Sequence, residues 1–201
     1  MREERRAVGL RRREVSVQVL VHAPEDFNNV CVLARTLEVL GVGACFVYDP
    51  NRLIRPRYGK SYSRRLRTIS AGAFFRIRFE RVARPLEFIR EHAGRSIATV
   101  PDQSATSLYD FGFDGDDLIL FGSEGHGLLE EVVEACDARL TIPQRGATQS
   151  LNLSVASGII LAEWFRQTEG PNRLRNQYRA PCRRMRYTER VEKTRTERCY
   201  P

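Results

Sequence analysis

The sequence predicts an α/β fold with a mostly parallel sheet and helices on both of its faces. Short apolar runs with the length of buried strands recur along the chain, as in Ser96–Val100 and Asp117–Phe121. Segments with apolar residues at helical spacing, such as Val32 to Leu40, lie between such runs. Strands that alternate with helices at this spacing are typical of βαβ units, whose sheets are parallel.

The first predicted strand is Glu14–His22, in which valines alternate with other residues. The segment Pro24–Asp26 ends this strand, because proline is disfavoured inside a sheet. Asn28 or Asn29 is expected to cap the helix that follows, since asparagine is a favoured N-cap residue.

The remaining elements follow from the same kinds of pattern. The first helix is expected to end near Leu40, because Gly41 and Gly43 follow it. Pro85 is expected to open a helix, since proline is favoured at the first helical position. Further strands are predicted at Ala44–Tyr48, Phe74–Phe79, Ser96–Val100, Asp117–Phe121 and Ala138–Ile142. Further helices are predicted at Ser63–Ile69, Pro85–His92 and Leu128–Ala135.

The stretch Thr141–Gln167 joins the last predicted strand to a long helix. A loop of small and polar residues ends at Ser150, whose hydroxyl is expected to cap this helix. Apolar residues recur at helical spacing from its start: Leu151, Val155, Ile159 and Ala162. A helix N-terminus after a polar loop suits a polar or anionic ligand, and the Asn152 amide can both donate and accept hydrogen bonds. A capped core helix without a ligand is the alternative.

The chain has 201 residues and a net charge of +8, which favours a polyanionic partner. Its basic residues cluster in three segments: Arg2–Arg13, Arg52–Arg67 and Arg173–Arg198. The segment Ser96–Ala138 is acidic by contrast, so one nucleic-acid-binding face is expected. We expect one folded domain at 15–170, between a basic arm at 1–14 and a weakly structured basic tail at 171–201.

Several protein classes are disfavoured by the composition. No apolar stretch reaches the roughly 20 residues needed to span a bilayer, and the basic N-terminus lacks the apolar segment of a signal peptide. A cytoplasmic protein without membrane contact is therefore expected. The five cysteines are scattered and odd in number, so neither a disulfide framework nor a metal site is predicted. Cys31, Cys45 and Cys136 are expected to be buried as small apolar residues.

The segment Gly122–Gly127 is a second candidate for a ligand site. Its three glycines let the backbone approach a ligand closely, and it follows a predicted strand, where ligands of parallel sheets bind. The segment lacks the lysine of a phosphate-binding Walker loop and the glycine spacing of the dinucleotide fingerprint. A tight turn without a ligand is the alternative.

Motifs that occur in order along the chain resemble those of a known family. They are Asn29 with Arg35 and Thr36, SAGA at Ser70–Ala73, FGSEGHGL at Phe121–Leu128, and IPQRGATQSLNLSVAS at Ile142–Ser157. The region from Val15 to Gln167 is similar to the SPOUT superfamily, and most closely to its SpoU/TrmH-type RNA 2'-O-ribose methyltransferases. The run Ser-Leu-Asn-Leu-Ser after Ile-Pro is the most diagnostic part of this resemblance.

The resemblance implies a C-terminal deep trefoil knot, a homodimer, and S-adenosyl-L-methionine as the cofactor. The substrate that it implies is structured RNA, either tRNA or rRNA. The cofactor-binding positions that it implies are Thr99, Gly122, Ile142, Leu151 and Ser150. The catalytic positions that it implies are Arg35, Asn29, Glu124, Ser150 and Asn152.

Methyl transfer to a ribose hydroxyl requires the oxygen close to the methyl carbon and its proton removed. The resemblance makes Arg35 the catalytic candidate. Because a guanidinium has a pKa above about 12, we favour a role in which Arg35 holds the target phosphate and lowers the pKa of the hydroxyl. Direct acceptance of the proton by Arg35 stays open. Methylation of a base, and a non-catalytic RNA-binding or assembly role, are the alternative functions.

Overall fold

The computed structural model of the chain describes residues 17–54 and 60–169. The predicted basic arm at 1–14, the predicted tail at 171–201 and part of the Arg52–Arg67 segment lie outside the described residues. In the described ranges, no helix is both long enough and apolar enough to cross a membrane. The same ranges contain no group of three or more His, Cys, Asp or Glu side chains that could hold a metal ion.

Parallel strands form one sheet in the described part of the chain. The strands are β1 (Gln18–His22), β2 (Ala44–Tyr48), β3 (Arg78–Arg81), β4 (Ser96–Thr99), β5 (Thr106–Ser107), β6 (Leu118–Phe121) and β7 (Ala138–Thr141). The helices are α1 (Phe27–Leu40), α2 (Lys60–Ile69), a 3-10 helix (Ala73–Phe75), α3 (Pro85–Glu91), α4 (Glu130–Glu134) and α5 (Leu153–Thr168). The predicted α/β class with a parallel sheet is confirmed.

The strand order places late strands between earlier ones. The order is β3-β2-β1-β6-β4-β7-β5, so β6 lies between β1 and β4, and β7 lies between β4 and β5. Because all strands run in the same direction, the carboxyl ends of β6, β4 and β7 are neighbours at one edge of the sheet. The trefoil knot that the resemblance implies stays a prediction.

The core has one apolar layer on each face of the sheet. On one face, Val19 of β1 belongs to a buried cluster with Leu33 of α1 and Trp164 of α5. On the other face, Leu20 of β1 and Leu120 of β6 belong to a cluster that includes buried residues of α3 and α4. A strand that is buried on both faces explains why these segments are continuous apolar runs. Helices on both faces, as predicted, are confirmed.

The cap of α1 differs from the prediction. Asp26 is the N-cap residue, and its carboxylate accepts a hydrogen bond from the Asn28 backbone amide at 2.8 Å. Neither Asn28 nor Asn29 is the cap, because both lie inside the helix. The C-terminus agrees with the prediction, since Gly41 ends α1 in the left-handed region at a φ of 85°.

Two further elements have different bounds from those predicted. The strand predicted at Phe74–Phe79 begins later than predicted and overlaps β3 only at residues 78 and 79. A 3-10 helix takes the start of the predicted range, after Gly72, which has a φ of 80°. Helix α4 begins later than predicted because Leu129 is extended, with a ψ of 146°. The short strand β5 was not predicted, since two residues carry no periodic pattern.

Helix α5 begins later than predicted and buries another face. It begins at Leu153 rather than at Leu151, so Ser150 is not its cap. Its buried residues are Leu153, Ser157, Ile160, Leu161 and Trp164. The stripe from which the helix was predicted lies outside, since Leu151, Val155 and Ile159 are 39%, 48% and 36% exposed. We refer to these three residues as the exposed α5 stripe, in which Leu151 lies two residues before the start of the helix.

Two of the three cysteines expected in the core are fully buried. Cys31 and Cys45 have no exposed surface, and burial raises the pKa of the Cys31 thiol to about 11. Cys136 is only partly buried, because it follows the short helix α4 at the surface. These thiols are therefore packing residues rather than reactive groups.

Candidate functional site

A cleft of about 430 Å³ opens at the carboxyl ends of β4, β6 and β7. Ligands of open parallel sheets bind at this edge, where the loops that follow the strands meet. Its volume lies within the usual range of small-molecule sites. The lining residues are Thr99, Val100, Pro101, residues 121–128, Leu140, Ile142, Gln144, residues 149–153, Ala156 and Ile160.

The segment Gly122–Gly127 forms one wall of the cleft as a closed turn. Two backbone hydrogen bonds of 3.0 Å join Ser123 and Gly127. A Cβ atom at Gly122 would lie 2.1 Å from the carbonyl carbon of Gly127, far inside any tolerated contact. Gly127 itself has a φ of 68°, in the left-handed region that favours glycine. The turn therefore closes only with glycine at these two positions.

A chain of hydrogen-bonded side chains ties this turn to helices α1 and α5. The Asn29 side-chain amide donates to the Glu124 carboxylate at 2.6 Å. The Asn152 side-chain amide donates in turn to the side-chain oxygen of Asn29, Oδ1, at 3.0 Å. Glu124 also accepts the backbone amide of Glu25 at 2.8 Å and, more weakly, that of Asp26 at 3.4 Å. Its carboxylate is thus held by donors from the start of α1.

Asn152 takes the capping role that was predicted for Ser150. The Asn152 side-chain oxygen accepts the Ser154 backbone amide at 2.9 Å and the Ser154 hydroxyl at 2.6 Å. This is the geometry of a helix N-cap, because an amide of the first turn receives a side-chain acceptor. Ser150 and Leu151 precede the helix, and both line the cleft.

All five predicted cofactor positions line the cleft: Thr99, Gly122, Ile142, Leu151 and Ser150. The Thr99 hydroxyl donates to the Leu120 carbonyl oxygen at 2.7 Å, which fixes its position between β4 and β6. Leu140, Ile142 and Ile160 supply apolar surface. Apolar walls with a few fixed polar groups are typical of small-molecule sites.

Glu25 is a contact of this site that the sequence analysis missed. A hydrogen bond from the Ser123 side chain lowers the pKa of the Glu25 carboxyl, and His126, whose Nδ1 lies 3.5 Å away, lowers it further. A Cβ atom on Gly125 would lie 3.0 Å from the same carboxylate. No sequence pattern marked Glu25, since the surrounding segment was interpreted only as the end of a strand.

Arg35 stands apart from the other predicted catalytic positions. It lies on the exposed side of α1 and is not among the residues that line the cleft. Within the described part of the chain, its guanidinium makes no hydrogen bond or ion pair. Glu124, Ser150 and Asn152 line the cleft, and Asn29 contacts two of them.

The parallel sheet and the loop-built cleft at its carboxyl edge define an α/β protein with a small-molecule site. The family model of the SpoU rRNA Methylase family matches residues 16–162, which include both cleft-forming segments. The chain belongs to this family.

Similar proteins include enzymes that act on RNA. A 23S rRNA (guanosine-2'-O-)-methyltransferase RlmB of Acinetobacter baylyi is 31% identical over 150 residues, which cover 72% of this chain and 57% of the relative. The crystal structure of the A. aeolicus TrmH/SpoU tRNA modifying enzyme has a TM-score of 0.72 and 23% identity, with 96% and 93% of the two chains covered. The SpoU methyltransferase AviRb from Streptomyces viridochromogenes, in complex with the cofactor AdoMet, has a TM-score of 0.61 and 28% identity over 78% of this chain and 60% of AviRb. The chain spans only 34% and 57% of the length of two 23S rRNA methyltransferases that it matches.

Proposed function

We propose that this chain transfers a methyl group from S-adenosyl-L-methionine to the 2'-hydroxyl of a ribose in structured RNA, either tRNA or rRNA. The proposal is carried by the cleft, in which Glu124, Asn29 and Asn152 are linked by hydrogen bonds beside the glycine turn. Family membership supports the same class of reaction, since the Acinetobacter relative is named as a guanosine-2'-O-methyltransferase.

The cleft suits S-adenosyl-L-methionine in size and in chemistry. Thr99, Gly122 and Ile142 lie at the ends of three neighbouring strands, where backbone groups and an apolar slot would hold the adenosine part. Leu151 would add apolar surface, and Ser150 would face the methionine part. The bare backbone at Gly122 lets the turn approach a ligand closely. When bound, the cofactor supplies an electrophilic methyl group on a sulfonium.

Ser150 and Asn152 would line the side of the cleft where the ribose hydroxyl enters. Asn152 keeps one orientation, because its nitrogen donates to Asn29 and its oxygen accepts from Ser154. Glu124 accepts hydrogen bonds from Asn29 and from the start of α1, so we assign it a positioning role rather than proton transfer. Asn29 links the two residues, because it donates a hydrogen bond to Glu124 and accepts one from Asn152.

Arg35 would hold the phosphate beside the target ribose and lower the pKa of the ribose hydroxyl. A guanidinium suits this role because its fork of N–H groups matches phosphate oxygens. Arg35 is exposed on α1 and outside the lining of the cleft. We therefore place the complete site at the interface of a homodimer, where a second protomer brings its own Arg35 to the target.

We propose that the exposed α5 stripe is part of this dimer interface. Leu151, Val155 and Ile159 are more than a third exposed, and Val32 and Val39 on α1 are 38% and 63% exposed. Exposed apolar patches are typical of protein–protein interfaces, because burial of apolar surface away from water is favourable. Leu151 belongs both to this stripe and to the cleft lining, which would couple dimer formation to the site.

The test is methyl transfer from labelled S-adenosyl-L-methionine to RNA by the purified chain. Alkaline hydrolysis then locates the product, because a 2'-O-methyl group blocks cleavage at its nucleotide. Blocked positions in tRNA or rRNA support the proposal. A methylated base in a backbone that is still cleaved would assign base methylation instead. Cofactor binding without transfer to any cellular RNA would assign a non-catalytic RNA-binding role.

A further inference from the structure

An exposed aromatic ring and an arginine are stacked on the surface beside α2. Phe75, in the 3-10 helix, is 43% exposed. The guanidinium carbon of Arg67, at the end of α2, lies 4.5 Å from the centre of that ring. Phe74 meets the Phe75 ring edge-on, with centroids 5.7 Å apart, and is itself almost completely buried. The Phe75 ring is therefore held by its contact with the buried Phe74 ring, and the Arg67 guanidinium lies over it at the surface.

Arginines without a carboxylate partner among the described residues lie around this pair. Arg64, Arg65 and Arg67 are all exposed on α2, and none lies within salt-bridge distance of a carboxylate among the described residues. Two arginines that follow Phe75 in the sequence have carboxylate partners. Arg76 forms an ion pair with Glu38 at 3.1 Å, and Arg78 forms one with Glu80. Among the described arginines next to Phe75, those without a carboxylate partner therefore lie on α2.

This basic surface is connected to the cleft. Arg65 lies 3.5 Å from the side-chain oxygen of Asn28, in the first turn of α1. The Phe74 ring contacts the ring of Phe27, in the same turn, edge to face, with ring centroids 5.2 Å apart. Asn29, the residue after Asn28 on α1, donates a hydrogen bond to Glu124 at the cleft. An RNA strand bound on α2 would therefore pass the start of α1 before it reached the cleft.

We propose that Arg67 and Phe75 form a stacking site for an unpaired base of the RNA, with Arg64 and Arg65 on the flanking phosphates. A planar guanidinium held over a ring presents its other face for stacking and keeps its N–H edges for hydrogen bonds. Basic surfaces that also offer stacking platforms are typical of single-strand binding. This inference rests on the proposed function and adds that the segment next to the target is single-stranded.

An acidic protein segment is the competing occupant of a basic surface. Its carboxylates would use the charges of Arg64, Arg65 and Arg67 but would gain nothing from a planar platform. The stacked geometry of Arg67 on Phe75 therefore favours a nucleobase. The two occupants differ in one testable respect, which is dependence on the aromatic ring.

The experiment measures fluorescence anisotropy of the full chain with a labelled single-stranded oligoribonucleotide of about 12 nucleotides, and with the same sequence as a duplex. Phe75→Ala should weaken single-strand binding about tenfold, and Arg67→Lys should weaken it severalfold because the charge remains without the stacking plane. Both variants should bind the duplex much as the native chain does. Arg90→Ala is the control, since Arg90 is an exposed arginine of α3, on the other face of the sheet.

Phe75→Leu separates stacking from folding, because leucine keeps apolar contact with Phe74 but has no ring. A melting temperature like that of the native chain, together with weakened single-strand binding, supports the site. Native-like single-strand binding by Phe75→Leu and Phe75→Ala would overturn it. Equal losses on single strand and duplex, or displacement of the oligonucleotide by polyglutamate with equal effect on all variants, would also overturn it in favour of a purely electrostatic surface.

Kinetics distinguish this inference from the proposed function. In methyl transfer, Phe75→Ala should raise the KM for RNA and leave kcat and cofactor binding near the native values. If the native chain transfers no methyl group, the proposed function fails, while the binding comparison still decides the stacking site. If transfer occurs and KM is unchanged in Phe75→Ala, only the stacking site fails.

Discussion

The Asn29 side-chain amide donates a hydrogen bond of 2.6 Å to the Glu124 carboxylate, across 95 residues of sequence. This bond joins the first turn of α1 to the glycine turn after β6. Because Asn29 also accepts from Asn152, a change at Glu124 should be felt at the start of α5. The three side chains are best regarded as one unit that sets the shape of the cleft.

Replacement of Glu124 by alanine should lower both stability and methyl transfer. It leaves the Asn29 amide, in a residue only 8% exposed, without its acceptor. We expect the free energy of unfolding to fall by about 1–3 kcal/mol, measured by urea denaturation. Glu124→Gln should recover part of the loss, since one acceptor oxygen remains. Glu134→Ala, at an exposed glutamate of α4, serves as control, and equal effects at both sites would contradict the prediction.

Gly122→Ala should abolish cofactor binding. The added Cβ would lie 2.1 Å from the Gly127 carbonyl carbon and 2.3 Å from the Leu128 nitrogen, so the turn must open. Calorimetry with S-adenosyl-L-methionine measures the effect. Gly146→Ala is the matched control, because a Cβ there meets nothing within 4 Å. Native-like affinity in Gly122→Ala would show that the closed turn is not needed for binding.

Arg35→Ala should abolish methyl transfer and leave cofactor affinity nearly unchanged. Its side chain is exposed and lies outside the cleft lining, so stability should change by no more than about 0.5 kcal/mol. Single-turnover transfer and calorimetry are measured on the same preparation. Arg35→Lys should remain strongly impaired, because lysine lacks the bidentate fork. Loss of cofactor binding in Arg35→Ala would contradict its assignment to the RNA side.

His22 should make stability fall in mildly acidic solution. Burial lowers the pKa of His22 below its usual value of 6.5, although Glu131 acts in the opposite direction. As the pH falls below about 6.5, the unfolded chain therefore takes up a proton on His22 before the folded chain does. The stability that the neutral buried ring provides is complete above that pH and is lost as the pH falls through the folded pKa. Nδ1 of His22 is buried without a hydrogen-bond partner among the described residues, which agrees with a neutral ring.

Urea denaturation at pH 7.5 and 5.5 measures this effect. His22→Leu should reduce the difference between the two pH values, since the buried titrating group is gone. His126→Gln should keep that difference, because the His126 side chain is 83% exposed. The same pH dependence in native chain and His22→Leu would assign the effect to other groups.

Val155→Glu should convert a dimer into a monomer. Val155 lies in the middle of the exposed α5 stripe and is 48% exposed, so a carboxylate there costs the isolated chain little but would be desolvated at an interface. Light scattering after size-exclusion chromatography measures the mass. Thr68→Glu, on the exposed face of α2, is the control for an added surface charge. A native chain that is monomeric at micromolar concentration would contradict the proposed interface.

The sequence predicted elements well where the pattern is local. Ala44–Tyr48 has the predicted bounds, and Ser96–Thr99 differs from its predicted strand by one residue. The predictions failed where contacts between residues distant in sequence determine the local structure. Phe74 packs against Phe27 and Phe79 in an aromatic group instead of alternating along a strand. Asp26, rather than Asn28 or Asn29, is the N-cap residue of α1.

The α5 stripe shows the same limit in the candidate site. Residues 151, 155 and 159 and residues 153, 157, 160 and 164 both have helical spacing, so periodicity identifies a helix without telling which side faces the sheet. The second set faces the interior, because Trp164 and Leu161 are fully buried in the cluster that also contains Val19 of β1. The first set was left at the surface, where it suits a partner.

The α/β class, the family motifs and the five motif-matched cofactor positions that line the cleft were predicted from the sequence alone, because strand length, helical spacing and motif composition are local properties. Only the tertiary structure decided that Asn29, Glu124 and Asn152 form one hydrogen-bonded unit and that Arg35 lies apart from the cleft. The physical reason is that these contacts join residues 95 and 123 positions apart. Their distances depend on β6 and β7 pairing between earlier strands, and no local pattern specifies that order.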